Sequence, residues 1–285
     1  TPSPPQPAMK YPFITVDAFA TQVFEGNPAG VMLLPAPETL SPAVMQKVAG
    51  EVNLSETAFL EPMGEWEYRI RWFTPAVEVD LCGHATLGAA RALQEWGKLK
   101  VGEEVLLHTL KSGDLRVKCT DGGLEMNFPV EAPEPVDPIP GLPEALRLDP
   151  GQITGYYKNR MDIFVETAAE VVESVAPDFL KLGAIQTRGI VVTAKSTGEG
   201  KLAGVDFISR FFGPSAGIDE DPVTGSAHCG LAPFWSSRLG RPELVAFQLS
   251  TRGGRVVTRL EGDRVVLAGQ GLVVIEGMFA VPDAA

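Results

Sequence analysis

The residues that could do chemistry fall into two short turns and one polar knot. Cys82-Gly83-His84 puts a thiol and an imidazole two positions apart, at the start of a helical run of small residues. Asp221, Gly225 and Ser226 occupy a second turn of similar make-up, within Asp219-Glu-Asp-Pro-Val-Thr-Gly-Ser-Ala227. The knot is Ser55-Glu56-Thr57, between a helical segment and a strand-like one. Each turn leads into a helix, whose first N–H groups lack helical partners and carry about half a positive charge. Two such N-termini converging would hold an anion, most simply a carboxylate. Glu56, Cys82, His84, Asp221 and Ser226 around it suit proton transfer: one carboxylate removes a carbon-bound proton and a neighbour holds or returns it. A free glutamate, with a pKa of about 4.3, is a weak base for that task, and burial is expected to raise it toward neutrality.

Taken singly, these residues have plainer readings. Asn27, in Phe24-Glu-Gly-Asn-Pro28, fits a turn by its Gly and Asn-Pro chemistry alone. Glu56 alone is a solvated carboxylate, and either turn alone is a tight connection onto a buried helix. A metal site from Cys82, His84, His228 and Cys229 lacks the spacings of common zinc motifs, and no metal is expected. A Cys82–His84 nucleophile pair requires side chains two apart in a turn to aim at each other, which they rarely do.

Repetition weighs against the plain readings. Phe73/Phe212, Pro75/Pro214, Val79/Ile218 and Asp80/Asp219 match at a spacing of 139 residues. Past the turn, Gly83/Gly225, Ala85/Ala227, Gly88/Gly230 and Ala90/Ala232 match at 142. The first spacing sets Cys82 opposite Asp221 and the second sets His84 opposite Ser226. Two halves with the same parts, related by a pseudo-twofold axis, would bring both helix N-termini to a domain interface, where small-molecule sites are common.

The elements that must position these groups follow from pattern and punctuation. Strands are expected at 11–18, 29–34, 58–60, 66–73, 104–108, 115–118 and 124–128. Ser41 as N-cap, Pro42 and a terminating Gly50 mark one helix, and His84–Trp96 before Gly97 marks a second, tightly packed one. The pattern fits a curved antiparallel sheet around a central helix. The proline-rich stretch 131–150 reads as a linker or domain boundary. Beyond it come strands at 161–167, 189–194, 204–212, 244–250, 255–260, 264–268 and 272–279. A short helix is expected at 175–182, an exposed loop at 195–202, and a helix at 226–239 closed by Gly240. Domains are therefore expected at 10–130 and 131–285, with a return of the last strand to the first domain left open. Residues 1–9, with four prolines in the first seven positions, read as a polyproline-like tail outside the fold.

Bulk properties exclude several classes. The formal net charge of −12, from 24 basic and 36 acidic side chains, disfavours nucleic-acid binding. The most apolar stretch, 265–281, is broken by glycines, Gln270 and Glu276, so no membrane segment is expected. Three widely spaced cysteines (82, 119 and 229) do not make a disulfide framework and suit a reducing cytoplasm, and no signal peptide is expected. No dinucleotide fingerprint, P-loop or pyridoxal-lysine motif is present, in keeping with proton transfer that needs no cofactor.

The motifs Phe24-Glu-Gly-Asn-Pro-Ala-Gly30, Asn53-Leu-Ser-Glu-Thr57, Cys82-Gly-His-Ala-Thr-Leu-Gly88 and Asp219–Ala227 together resemble the phenazine biosynthesis PhzF-like family, over residues 11 to about 280. The resemblance implies the diaminopimelate epimerase-like fold: α/β (α+β), with two pseudo-symmetric domains, each a curved, mainly antiparallel sheet or half-barrel around a central helix. It implies Glu56 as the proton-transferring residue, with His84, Asp221 and Ser226 positioning substrate and assisting. Asn27, Ser55, Cys82, Gly83 and Gly225 are the expected substrate-binding positions. The family's characterised isomerase acts on a dihydro-hydroxyanthranilate without a cofactor, as a homodimer. The expected activity here is a cofactor-independent isomerase moving a carbon-bound proton on a small carboxylate. Related epimerases and racemases use two cysteines, and Asp221 stands where the second would be, so a two-thiol racemase is disfavoured. An epimerase using Cys82 as one acid/base, and a non-catalytic binding or regulatory relative, are the alternatives.

Overall fold

The computed structural model describes residues 8–35 and 39–282. The chain divides into two compact units, one of Thr1–Val23, Asn27–Met126 and Gln270–Ala285, the other of Phe24–Gly26 and Asn127–Gly269. Of the expected tail, residues 1–7 lie outside the described residues, whereas Ala8 and Met9 already belong to the first strand.

In chain order the elements are β1 (Ala8–Ala18), β2 (Asn27–Leu33), α1 (Pro42–Val52), β3 (Glu56–Pro62), β4 (Glu67–Phe73), β5 (Glu78–Val79) and α2 (Gly83–Glu95). Then come β6 (Glu104–His108), β7 (Asp114–Thr120), β8 (Gly123–Pro129), β9 (Glu134–Pro135) and α3 (Leu142–Leu146). The second unit continues with β10 (Ile153–Lys158), β11 (Asp162–Thr167), α4 (Ala169–Ser174), α5 (Phe179–Leu182), β12 (Gly189–Lys195), β13 (Phe207–Gly213), β14 (Ile218–Asp221) and α6 (Gly225–Leu239). It closes with β15 (Glu243–Gln248), β16 (Gly254–Glu261) and β17 (Arg264–Gly269), and β18 (Gly271–Pro282) follows.

Strand order in the first unit is β18-β1-β2-β3-β4-β6-β7-β8, with β5 also paired to β4. Every pairing is antiparallel except β2/β3 and β4/β6. Parallel neighbours need a crossover, and α1 and α2 supply the two. The second unit repeats this order as β9-β10-β11-β12-β13-β15-β16-β17, with β14 beside β13. Its parallel pairs are β11/β12, crossed by α4 and α5, and β13/β15, crossed by α6. The residue matches at 139 and 142 thus mark one topology used twice. Matched pairs occupy matched places: Phe73 and Phe212 in β4 and β13, Val79 and Ile218 in β5 and β14, Gly83 and Gly225 at the first position of α2 and α6.

The small residues of α2 have a packing reason. A Cβ on Gly88 would stand 3.4 Å from Ala29 Cβ and 3.6 Å from Val16 Cβ, so the helix lies close on β1 and β2. His84 to Ala90, Ala92 and Leu93 are all buried, as a helix enclosed by its sheet requires. Fully burying Leu87 and Leu93 stabilises the unit by roughly 1.5–3 kcal/mol each. In α1, Ser41 Oγ accepts from Val44 N–H and Pro42 begins the helix, while Val44, Met45, Val48 and Ala49 pack with Phe59 and Phe73. The helix runs past Gly50 and stops at Asn53, which adopts a left-handed φ of 51° and donates to the Ala49 carbonyl.

Several expectations need correction. The stretch 131–150 is built structure: β9 pairs with β10, and Leu142, Ala145 and Leu146 of α3 are buried in the second unit's core. Its prolines are compatible because Pro143 sits in a first helical turn and Pro135 in a two-residue strand. Of the helix expected at 175–182 only Phe179–Leu182 (α5) is helical; α4 ends before it begins, and Val175–Asp178 separates the two. The loop 195–202 holds a 3-10 turn that buries Leu202. Strand β10 has no sequence counterpart, because Ile153-Thr-Gly-Tyr-Tyr-Lys158 does not alternate. Among the described residues no helix is long and apolar enough to cross a membrane.

Candidate functional site

Two neighbouring strands and one helix end of the first unit converge on a buried polar cluster. Asn27 opens β2 and Glu56 opens β3, and the parallel register sets Glu56 beside Ala29. Cys82 is the N-cap of α2 and His84 lies in its first turn. The close approach of Gly88 to Ala29 holds that turn against the starts of β2 and β3. Glu56, Cys82, His84 and Asn27 are all less than 9% exposed.

His84 Nε2 stands 3.1 Å from Glu56 Oε2. The contact is an ion pair out of line for a good hydrogen bond, and neither atom has a hydrogen-bond partner among the described residues. On the other side of the ring, His84 Nδ1 lies 3.2 Å from Asn27 Nδ2 and 3.5 Å from Cys82 Sγ. Ser55 Oγ donates to Asn27 Oδ1 at 3.2 Å. The amide suits either charge state of the ring: Nδ2 donates to a neutral Nδ1, and turned over, Oδ1 accepts from a protonated one while Nδ2 donates to Ser55.

Charge in the cluster is set by mutual influence. Burial alone would raise the Glu56 carboxyl, but His84 outweighs it, with a smaller contribution from Cys82, and Glu56 sits below its ordinary value. This corrects the expectation that burial would carry Glu56 up toward neutrality. Burial alone would lower His84, but Cys82 and Glu56 beside it prevail and hold the imidazole well above its ordinary range. Burial, reinforced by Glu56, pushes the Cys82 thiol up, so it stays neutral and is a poor base. The directions for Glu56 and His84 correspond to a buried carboxylate–imidazolium pair, at a helix N-terminus with no side-chain cap. Glu56, Cys82 and His84 also bring ligand atoms within 4.8 Å of one another, the spacing a metal ion could use. An imidazolium is a poor ligand, because metal binding would first have to displace its proton.

Asn27 was expected to bind substrate or to serve only a turn. It is fully buried and braces His84 together with Ser55. Gly83 is the first residue of α2 and is half-buried between Cys82 and His84.

In the second unit, Asp221 ends β14, three residues before the N-cap Thr224 of α6. Thr224 Oγ1 donates to Asp221 Oδ2 at 2.5 Å. Gln248, buried in β15, accepts from the Thr224 N–H and donates to the Asp221 carbonyl, which fixes the turn. By helix caps, the counterpart of Cys82 is therefore Thr224 and not Asp221. Gly225 and Ser226 open α6, and Ser226 Oγ accepts from Arg188 Nη1 at 2.9 Å. Arg188 was not foreseen, since nothing in Thr187-Arg188-Gly189 departs from an ordinary strand entry. His228 is a core residue: burial lowers it to about 4, and its Nδ1 donates to the Thr224 carbonyl at 2.8 Å. Cys229 is also a core group, its thiol pushed up to about 12 by burial.

Comparison with known proteins agrees with this architecture. A relative from Halalkalibacterium halodurans, described as an uncharacterised isomerase, is 44% identical over 94% of this chain and 97% of its own. The crystal structure of a PhzF-family phenazine biosynthesis protein from Enterococcus faecalis superposes with a TM-score of 0.87 at 39% identity, covering 96% of this chain and all of that one. A hydroxyproline epimerase from Agrobacterium vitis shares the fold, with a TM-score of 0.59 at 12% identity over 96% of this chain and 93% of its own. The family described as phenazine biosynthesis-like protein matches residues 16–277, and this chain belongs to it.

Proposed function

We propose that the protein is an isomerase that moves a carbon-bound proton on a small carboxylate, with Glu56 as base and His84 as its coupled acid. The observation that carries this reading is the buried Glu56–His84 pair, whose two facing atoms have no hydrogen-bond partner among the described residues. A carboxylate below its ordinary value is ionised and ready, but it is a weak base. The substrate must therefore be acidified by an adjacent carbonyl, carboxylate or double bond, and the imidazolium must stabilise the charge that develops.

The pairing links the two steps. When Glu56 takes the proton from carbon, the carboxylate charge that, with Cys82, holds His84 charged is gone. Burial then favours the neutral imidazole, and His84 is driven to release a proton to another substrate atom. One carbon loses a proton, another centre gains one, and no electron leaves the pair of reactants, so the cycle requires no redox cofactor. Asp221 and Ser226 are proposed to bind and orient the substrate, and Cys82 to donate a hydrogen bond as a neutral thiol.

The test is deuterium wash-in. A panel of small unsaturated and α-hydrogen carboxylates is incubated with the protein in D2O and followed by mass spectrometry. Wild type is expected to label at least one member, and Glu56→Gln to label it about 10²–10⁴-fold more slowly, the usual contribution of a general acid–base group. Undiminished exchange in Glu56→Gln overturns the assignment.

A further inference from the structure

The first turn of α6 carries a side chain whose hydrogen-bonding direction is set by an arrangement that the proposed proton transfer does not use. Asp162, at the start of β11, is fully buried. Arg188 grips it through two arms: Nε donates to Oδ1 at 2.9 Å and Nη2 donates to Oδ2. A third arm, Nη1, donates to Ser226 Oγ at 2.9 Å. The guanidinium also lies over the Phe211 ring, 5.6 Å from its centroid. That ring in turn packs against Gly189, where a Cβ would fall 2.1 Å from Phe211 Cζ, so only glycine lets the ring lie there.

This is more than burial of Asp162 requires. Two parallel N–H arms already satisfy the carboxylate, in the fork geometry specific to arginine. The third arm acts on Ser226. A hydroxyl has one proton, and a guanidinium has only donors, so the Ser226 proton cannot point at Arg188. Among the described residues no acceptor takes that proton. It is therefore aimed outward from the first turn of α6, where Thr224 provides no side-chain cap and the helix dipole is positive. The Arg188 side chain remains 34% exposed while Asp162 is at 0%, so the cation is anchored from below and still reachable from above.

We infer that Arg188 is a positioning residue: clamped by buried Asp162 and stacked on Phe211, it fixes the Ser226 hydroxyl with its proton turned toward a substrate carboxylate. The inference rests on the reading of Ser226 as a substrate-contacting residue. Arg188 acts through Ser226, and the pair gives the α6 turn its preference for a carboxylate over an uncharged group.

The test uses benzoate as a planar carboxylate probe and benzyl alcohol as its uncharged counterpart, with binding measured calorimetrically on the full chain. Wild type is expected to bind benzoate and not the alcohol. Ser226→Ala and Arg188→Met are each expected to weaken benzoate binding about 10-fold or more, the loss expected for one hydrogen bond to a charged group. Because the two act in series, the double variant should bind no more weakly than either single one. Arg188→Met leaves Asp162 buried without its cation, so Arg188→Lys is measured alongside. A lysine keeps the charge pair and the thermal midpoint but cannot serve Asp162 and Ser226 at once, and it too should weaken benzoate about 10-fold. Wild type without affinity for benzoate, an unchanged Kd in Arg188→Lys, or losses that multiply in the double variant each overturn the inference. Binding needs no turnover, so these outcomes are read independently of whether Glu56 exchanges deuterium.

Discussion

Glu56 and His84 hold each other in charge states that burial alone would not allow, and this has consequences that pH can read. His84 lies above its ordinary 6.5, so its contribution to stability is complete below that value and is lost as pH rises through the folded-state value. Glu56 lies below its ordinary 4.5, so its contribution is complete above that value and is lost as pH falls through the folded-state one. The pair therefore persists across a window wider at both ends than 4.5 to 6.5. Deuterium exchange on any substrate found should plateau across that window, with its acid limb below 4.5 and its alkaline limb above 6.5. An alkaline limb at or below 6.5 contradicts the coupling. The same coupling predicts that Glu56→Gln lowers the His84 titration, because the anion is gone while the burial remains. Nitrogen-15 NMR of the imidazole checks this directly, and an unmoved titration would show that Glu56 does not control the ring.

Elements differ in how plainly the chain announces them. Strands β7 and β8 alternate apolar and polar residues, and the structure keeps that alternation, with Leu115, Val117, Cys119, Leu124, Met126 and Phe128 buried. Helices α2 and α6 were visible from their small residues and closing glycines, for the packing reason given by Gly88. The matched glycines Gly88 and Gly230 nevertheless have different tolerances. A methyl at Gly88 meets Ala29 at 3.4 Å, a contact the site can absorb, and alanine gains about 1 kcal/mol of helix propensity over glycine. A methyl at Gly230 falls 2.7 Å from Phe164 and 3.0 Å from the Glu131 carbonyl, which is itself held by Asn159. Gly88→Ala should leave urea stability unchanged or slightly raised, whereas Gly230→Ala should lose about 1–3 kcal/mol to overpacking. Equal losses at the two sites would mean that α2 and α6 are packed alike. Proline-rich 131–150 misled because proline count says where chain cannot continue a ladder, not whether leucines between the prolines find a core.

At the scale of the whole chain, the repeat was legible and the charge cluster was not. Matched residues at two spacings reported a topology used twice, because each copy must place the same turn before the same helix. The choice of Glu56 among these residues as the one that moves the proton came only through the resemblance. No periodicity says that the start of β3 lies beside the first turn of α2, since that juxtaposition depends on the β2/β3 register and on how α2 is seated against β1 and β2. The direction of the Glu56 shift was misread for the same reason: burial is visible in sequence, but the facing imidazole is not. One feature of the topology bears on how the molecule is made. Strand β1 pairs with β18 from Ala8↔Pro282 to Ala18↔Gly271, almost the full length of the chain apart. Pairings so remote in sequence are slow to form. In pulse-labelled hydrogen exchange during refolding, amides of β11, β12 and β13 should be protected before those of β1, and simultaneous protection would refute this order. As the chain leaves the ribosome, the second unit can complete its ladder while the first still presents an open strand edge. The segment that seals that edge is synthesised after everything it protects, so a chaperone is most needed by the half that was made first.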